Sequence, residues 1–214
     1  MKNASKHPSL RQETRSVGIP VFFATTNGQT RRIAERVAAT LRERGFKSAA
    51  LDVASLEALS VDWNEVKGAV LGAPLYLGRY PRQAADFARA HRDRLNAVPS
   101  AFFGVSLSAA SRNPEEAEAA RNLARGFAEG AGWKPFTIAS LAGALAYSRY
   151  GFLVRFIMRR IARREGAPTD SSRDYELTDW GQVARFANEV ADAVLLNWSF
   201  VVEGPGRGAE ARLH

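Results

Sequence analysis

The chain has 214 residues, of which 46% are hydrophobic, and this is enough apolar material for the core of one globular domain. Because it contains no cysteine, disulfide bonds, thiolate metal sites and a cysteine nucleophile are excluded. The formal net charge of +8 favours an anionic partner: nucleic acid, a membrane surface or an acidic small molecule.

The two ends of the chain differ in composition from its centre. Residues 1–17 are polar and mixed in charge, so we expect a disordered N-terminal tail and no secretory signal. Residues 197–214, which end in a glycine- and arginine-rich stretch, are expected to form a C-terminal tail. No apolar run reaches the ~18 residues needed to cross a bilayer. We therefore expect a cytoplasmic protein with one domain over 18–196.

Short apolar runs alternate along this domain with longer segments of helical period. Strands are predicted at 19–24, 47–53, 67–72, 101–107 and 136–141. Helices are predicted at 28–44, 81–95, 114–131 and 178–196. Gly45 is expected to follow the first helix as a C-cap, and Asn113 and Thr178 are expected to cap the third and last helices at their N-termini. The alternation predicts an α/β fold whose five-stranded parallel sheet is covered on both faces and binds its ligand beyond the carboxyl ends of the strands.

The loop after the first predicted strand has the composition of a phosphate-binding loop. A helix N-terminus offers unpaired N–H groups and partial positive charge to an anion, a glycine allows close approach, and threonine hydroxyls add donors. The loop matches neither a Walker sequence nor a GxGxxG fingerprint. We therefore expect it to bind a single terminal phosphate. Simple N-capping by Thr26 or Asn27 is the alternative. The predicted phosphate ligands are Thr25, Thr26, Asn27, Gly28, Gln29 and Thr30.

Two further loops follow predicted strands and suit a flat aromatic ligand. The first contains Tyr76, Leu77 and Gly78, and the alternative for it is ordinary loop packing. The second is small and hydroxyl-bearing, and it could supply backbone donors to the polar edge of a ring. Its residues are Ser106, Leu107, Ser108, Ala109 and Ala110.

About thirty-five residues, at 142–176, separate the fifth strand from the last helix, which is too long for an idle connection. Residues 152–164 have the pattern of an amphipathic helix with Arg155, Arg159 and Arg163 on its basic side. Such a helix can lie on an anionic membrane or bind an acidic ligand. The alternative is that its apolar side packs on the domain while the arginines are solvated. Nucleic acid is not the expected partner, because no recognised binding motif accompanies the basic helix.

Several stretches together resemble the flavodoxin-like bacterial protoporphyrinogen oxidases, the family of menaquinone-dependent protoporphyrinogen IX dehydrogenases. They span about residues 19–192. The stretches are TTNGQTRRIA, GAPLYLGRY, PSAFFGVSLSA, AGALAYSRYGFLVRFIMRRI and TDWGQVARFA. The resemblance implies a doubly wound sheet in the order 2-1-3-4-5, with the basic helical insertion before the last helix.

The same resemblance implies that FMN takes electrons from protoporphyrinogen IX and passes them to a membrane quinone, menaquinone or ubiquinone, in heme synthesis. The flavin would perform the redox chemistry, so no catalytic side chain and no metal site are expected. His91 is expected to be a surface residue. The insertion would adsorb to the inner face of the cell membrane and form the substrate or quinone side. Residues expected on that side are Ala142, Gly143, Tyr147, Arg149 and Tyr150.

Two other functions fit the same sequence features. A flavodoxin-type electron carrier or an NAD(P)H:quinone reductase would use the same FMN seat. A non-enzymatic protein that adsorbs to membranes would keep the basic helix without the flavin. The sequence also leaves association into homo-oligomers open.

Overall fold

A computed structural model describes residues 18–111, 113–145 and 175–203 of the chain. Its main sheet has five parallel strands in the order β2-β1-β3-β4-β5. The strands are β1 (Val21–Phe23), β2 (Ala50–Asp52), β3 (Ala69–Pro74), β4 (Ser100–Ser106) and β5 (Thr137–Ala142). This architecture confirms the predicted doubly wound, flavodoxin-like α/β fold, with strand boundaries that differ by a few residues from the predicted ones.

Six helices are described around this sheet. They are α1 (Gln29–Glu43), α2 (Leu56–Leu59), α3 (Arg82–Ala90), α4 (Arg92–Ala97), α5 (Pro114–Gly130) and α6 (Trp180–Glu203). A two-stranded antiparallel sheet pairs β6 (Ala144–Leu145) with β7 (Tyr175–Glu176). The short strands β6 and β7 are the two described ends of the insertion, and we call this pair the stem. Neither the stem nor α2 was predicted from the sequence.

The core lies in two layers, one on each face of the main sheet. Val21 and Phe23 point to the layer formed with α1 and α6, whereas Phe22 between them points to the layer formed with α2 to α5. On α1, the predicted stripe of Ile33 and Leu41 is fully buried. Both faces are therefore covered, as expected for a parallel sheet, and the ends of the strands are left to build the site.

Two predicted helix boundaries are confirmed, one at the start of α5 and one at the end of α1. The Asn113 side chain accepts a hydrogen bond from the backbone N–H of Glu115 at 3.0 Å, and Pro114 occupies the first helical position. Gly45 has φ 94° just beyond α1, which confirms its predicted place at the helix end.

The prediction that Thr178 caps the last helix was wrong. Asp179 does so, because its carboxylate accepts the backbone N–H of Gln182 at 3.0 Å and its carbonyl accepts that of Val183. The hydrogen bond from the Gln182 N–H lowers the pKa of Asp179 below its ordinary value, and the nearby Arg185 contributes less. The helix also runs to Glu203, past the predicted end at Leu196.

The single helix predicted over 81–95 is two helices. The chain leaves helical geometry at His91, where φ is −109° and ψ is 12°, and α4 begins immediately afterwards. The imidazole of His91 packs against the rings of Phe87 and Trp63, with centroids 4.5 and 5.2 Å apart. His91 is thus partly covered by aromatic rings and not a purely surface residue as expected.

The described residues contain neither a membrane-spanning helix nor a cluster of metal ligands. No helix among them is long and apolar enough to span a membrane. No cluster of three or more histidine, aspartate or glutamate side chains in that part of the chain could hold a metal ion.

Candidate functional site

The three predicted ligand loops follow β1, β3 and β4, which are neighbours in the main sheet. Phe23 pairs with Gly72, and Pro74 pairs with Val105, so the carboxyl ends of these strands lie side by side. In this strand order the chain leaves β1 towards β2 and leaves β3 towards β4. The connections therefore diverge between β1 and β3, which creates the crevice where doubly wound proteins bind ligands. The structure therefore brings the predicted loops to one edge of the sheet.

The first loop turns sharply into α1. Gly28 has φ 89° and ψ −11°, a left-handed conformation that residues with a side chain rarely adopt. The Thr25 hydroxyl oxygen accepts the Gly28 N–H at 3.0 Å and keeps its own proton as a donor. No described side chain caps the first turn of α1, and no acidic residue lies in it. The backbone donors that every helix leaves unpaired at its start are here available to an anion.

The charge around this turn is compatible with an anionic ligand. Arg31 and Arg32 follow in the same turn and are both exposed. The Arg31 guanidinium lies 5.5 Å from the centre of the Phe23 ring and 3.9 Å from an oxygen of Asp52. Of the other loop residues, Thr26 is exposed and Thr30 is buried.

The second loop is a tight hairpin turn. The backbones of Tyr76 and Arg79 exchange both hydrogen bonds, at 2.9 and 3.0 Å. Leu77 and Gly78 between them have φ values of 49° and 74°, the positive angles of a type I′ turn. In this turn Tyr76 and Leu77 are 39% and 65% exposed, so both side chains form hydrophobic surface after β3, the strand next to β1.

The third loop is a short 3₁₀ turn, Ser108–Ala110, after β4. The Ser106 hydroxyl accepts the Ala109 N–H at 3.1 Å, and the Leu107 carbonyl accepts the Ala110 N–H at 2.9 Å. The predicted residues of this loop therefore use part of their hydrogen-bonding capacity to fix the turn itself. Leu107 and Ser108 remain partly accessible at the strand end.

The stem of the insertion begins directly beside these loops. Ala142 pairs with Ser106, and the Gly143 N–H donates to the Ser106 carbonyl at 3.1 Å. Gly143 in turn accepts the N–H of Leu177 at 3.1 Å, which closes the stem. Ala142 and Gly143 are therefore in contact with Ser106 at the start of the third loop. The remaining residues predicted on that side lie outside the described residues. They are Tyr147, Arg149, Tyr150, Arg155, Arg159 and Arg163.

Three polar residues that contact the Gln29 side chain were not predicted to lie at the site: Arg32, Glu176 and Thr178. Glu176 in β7 accepts from Gln29 at 2.7 Å and from Arg32 at 2.7 Å, and Thr178 accepts from Gln29 at 2.8 Å. The Gln29 side chain thus binds the stem and Thr178, which leaves only the backbone N–H of Gln29 for a ligand at the turn. No local sequence signal links residues separated by 147 positions.

These observations fit a flavin mononucleotide. The turn at Gly28 has no side-chain cap and no acidic residue of its own, and the Glu176 carboxylate beside it is paired with Arg32, so the turn suits a terminal phosphate. The exposed Tyr76–Leu77 turn and the small third loop suit the planar ring. No further ionisable side chain is needed for such a ligand, because flavin redox chemistry belongs to the cofactor.

Comparisons with known proteins agree with this geometry. Residues 20–172 match the family described as a flavodoxin domain. The chain is 38% identical over 172 residues to the protoporphyrinogen IX dehydrogenase (quinone) of Escherichia coli, covering 80% of this chain and 93% of the relative. It is 32% identical over 174 residues to the protein of the same name from Leishmania major, covering 80% and 73%.

One solved structure, a short-chain flavodoxin associated with a bacterial microcompartment, superposes with a TM-score of 0.51 at 14% identity, covering 83% of this chain and 99% of that one. This likeness shows the fold alone. The identities to the two dehydrogenases and the domain match show the family. The chain belongs to the flavodoxin-like family of quinone-dependent protoporphyrinogen IX dehydrogenases.

Proposed function

We propose that this protein is an FMN-dependent oxidoreductase that oxidises protoporphyrinogen IX to protoporphyrin IX and reduces a membrane quinone, a late step of heme synthesis. The observation that carries the proposal is the first turn of α1, which offers backbone donors and a left-handed Gly28 to a phosphate and contains no acidic residue of its own. The relatives named for this reaction support the choice of substrate and acceptor.

The reaction balances as three two-electron oxidations. Each removes two electrons and two protons from the macrocycle and converts one quinone to its quinol, so three quinones are consumed per porphyrin. Bound FMN would supply reversible two-electron transfer between these partners. The protein's task is then to hold the two substrates and the ring in place and to keep water from the site.

Each described loop has a separate part in holding the cofactor. The backbone N–H groups of Gln29 and Thr30, with the hydroxyls of Thr25 and Thr26, would donate to the phosphate. The side chains of Tyr76 and Leu77 would cover one part of the ring, and the Ser106–Ala110 loop would approach its polar edge. Asn27 and Gly78 complete the two turns.

The substrate side is proposed on Ala142 and Gly143 together with Tyr147, Arg149 and Tyr150 of the insertion. The porphyrinogen carries propionate groups, and arginine binds carboxylates through two parallel hydrogen bonds. The basic segment at 152–164 would adsorb to anionic lipid at the inner face of the cell membrane, where the quinone is dissolved. This arrangement would bring both reactants to the same edge of the sheet.

The decisive experiment follows the flavin spectrum. We expect the purified protein, incubated with FMN and freed of excess, to be yellow, to bleach under anaerobic protoporphyrinogen IX and to recover its absorption when a menaquinone is added. A protein that bleaches only with NADPH would instead be an NAD(P)H:quinone reductase or electron carrier. A protein that stays colourless after incubation with FMN would contradict the proposal.

A further inference from the structure

The first turn of α1 is joined to the stem of the insertion by a compact set of hydrogen bonds. Gln29 Nε2 donates to Glu176 Oε1 at 2.7 Å and to Thr178 Oγ1 at 2.8 Å. Gln29 Oε1 accepts from Arg32 at 3.0 Å. Both ends of this amide are therefore occupied. One N–H of Gln29 Nε2 binds Glu176 at the end of the stem, and the other binds Thr178 two residues later.

A second contact runs parallel to the first. Arg32 donates to Glu176 Oε2 at 2.7 Å, and its guanidinium lies 5.5 Å from the centre of the Trp180 ring at the start of α6. The two Glu176 oxygens are thus held by two different residues of the same helical turn. A carboxylate fixed at both oxygens has little freedom to move away from that turn.

Thr178 extends the junction to the end of the main sheet. Its hydroxyl accepts from Gln29 and donates to the Ala142 carbonyl at 2.9 Å. Ala142 is the last residue of β5, and Gly143 next to it accepts the Leu177 N–H. One hydroxyl therefore connects the start of α1, the end of β5 and the strand that returns from the insertion.

We infer that Gln29 is a positioning residue that couples cofactor binding to the stem of the insertion, an inference that rests on the proposed function. Its backbone N–H lies in the phosphate turn, whereas its side chain binds Glu176 and Thr178. A phosphate that orders the turn restricts the Gln29 side chain as well, and this stabilises the stem. By thermodynamic reciprocity, whatever stabilises the stem strengthens phosphate binding by the same factor.

The coupling is selective for the phosphate end of the flavin. Riboflavin has the same ring as FMN but no phosphate, so its binding should not transmit order through the turn. A comparison of FMN with riboflavin therefore separates the proposed coupling from any effect of filling the part of the site that binds the flavin ring.

The test measures both sides of the coupling. Hydrogen exchange in peptides that contain Leu177 reports on the stem, since this amide is hydrogen-bonded to Gly143. Flavin fluorescence titrations report on affinity for FMN and for riboflavin. We expect FMN, but not riboflavin, to slow exchange at Leu177 in the wild-type protein.

Replacing Gln29 by Met keeps the length and helix propensity of the side chain and removes its hydrogen bonds. In Gln29→Met we expect the FMN-linked protection of Leu177 to be lost and FMN affinity to fall about two- to tenfold, the effect of one or two hydrogen bonds. Glu176→Gln and Thr178→Val should have smaller effects in the same direction. The fall in the double variant Gln29→Met/Glu176→Gln should be less than the product of the two single effects, because the two residues share one interaction.

Gln182→Met is the matched control. Gln182 lies near the start of α6, but its side chain contacts the Ser140 carbonyl at 3.4 Å and not the stem. It should retain wild-type FMN affinity and wild-type protection of Leu177. FMN binding to Gln29→Met that still protects Leu177 as in the wild type would overturn the coupling and leave the proposed function intact. A wild-type protein that binds no FMN would overturn the proposed function.

Discussion

The Cα atom of Gly72 in β3 lies against the aromatic ring of Phe103, its partner in β4, so closely that an added methyl group would overlap the ring. Gly72 precedes the Tyr76 turn, and Phe103 precedes the Ser106 loop. The Phe103 ring therefore fills the space of a side chain at position 72, between two strands whose ends build the candidate site. A glycine is required at this position for close approach and not for an unusual backbone angle.

We expect Gly72→Ala to lower the free energy of unfolding by about 1–3 kcal/mol, because the new methyl group overpacks a well-filled core. Urea denaturation measures the change. Gly126→Ala is the control, since no described atom lies within 4 Å of the added methyl group on the exposed face of α5. That variant should be as stable as the wild type or gain up to about 1 kcal/mol from its higher helix propensity. Equal stabilities for Gly72→Ala and the wild type would contradict the packing argument.

Two buried hydroxyls should respond in opposite ways to removal. Thr40 Oγ1, on the inner side of α1, has no hydrogen-bond partner among the described residues. Thr40→Val should therefore leave stability unchanged or raise it by about 1 kcal/mol, because an unsatisfied polar atom is replaced by a methyl group of similar shape. Ser48 Oγ donates to the Ile19 carbonyl at 2.6 Å, so Ser48→Ala should cost about 1 kcal/mol. Thermal and urea unfolding of the two variants would show this contrast, and a destabilised Thr40→Val would refute it.

His91 should make the protein less stable in mild acid. Burial lowers the pKa of His91 below its ordinary value of 6.5, and the charge of nearby Arg94 lowers it further. The unfolded chain therefore takes up a proton at a higher pH than the folded protein does. Stability is fully retained above about pH 6.5 and is lost as the pH falls from there towards the lowered pKa.

The variant His91→Phe keeps an aromatic ring beside Trp63 and Phe87 but cannot titrate. We expect the difference between its urea midpoints at about pH 7.5 and about pH 5 to be smaller than in the wild type. Asp179 and Glu118, whose pKa values are lowered, lose their protons at lower pH and are common to both proteins. A pH difference that is the same in both proteins would exclude His91 as its source.

The main elements were predictable because their signals are local. A short buried run followed by Gly28 and a stripe at Ile33, Val37 and Leu41 is enough to place β1 and α1, and the structure buries all three stripe residues. The loops at strand ends follow from the parallel topology without knowledge of any side-chain contact. The resemblance to a known family then supplied the strand order.

The ends of helices were harder to predict than their centres, because neighbouring residues can compete for the same capping position. Thr178 and Asp179 both have side chains that can cap a helix, and Thr178 is already used by the Ala142 carbonyl and Gln29. At the break between α3 and α4, the His91 ring packs on Trp63, which lies far away in the sequence. The pairing of Gln29 with Glu176 is equally nonlocal, so no local pattern predicts that the Gln29 side chain binds the stem.

The left-handed conformation of Gly28 should affect the affinity for FMN, which carries a phosphate, more than the affinity for riboflavin, which has none. Gly28→Ala places a side chain at φ 89°, with a strain of about 1–2 kcal/mol, and the strain is relieved by distorting the phosphate turn. We expect FMN affinity to fall by about tenfold, while riboflavin affinity changes little. Fluorescence titrations with both ligands measure the ratio.

Gly45→Ala provides the comparison for this variant. Gly45 has φ 94° at the other end of α1, so alanine at this position introduces similar backbone strain away from the candidate site. It should lower stability without changing the ratio of FMN to riboflavin affinity. A change in this ratio with Gly45→Ala, or none with Gly28→Ala, would argue against a phosphate seat at the start of α1.

The arginines of the insertion should control attachment to anionic lipid. Replacing Arg155, Arg159 and Arg163 by Gln removes three positive charges, each contributing about 1 kcal/mol near an anionic surface before screening. Binding to phosphatidylserine-containing vesicles, measured by co-sedimentation at low salt, should weaken by up to about 100-fold. Turnover with a lipid-dissolved quinone should fall with it. The triple variant Arg36→Gln/Arg82→Gln/Arg92→Gln removes the same charge from exposed helix positions and should bind vesicles more tightly than the insertion variant does. If the insertion variant kept both vesicle binding and turnover, the insertion would have no role at the membrane.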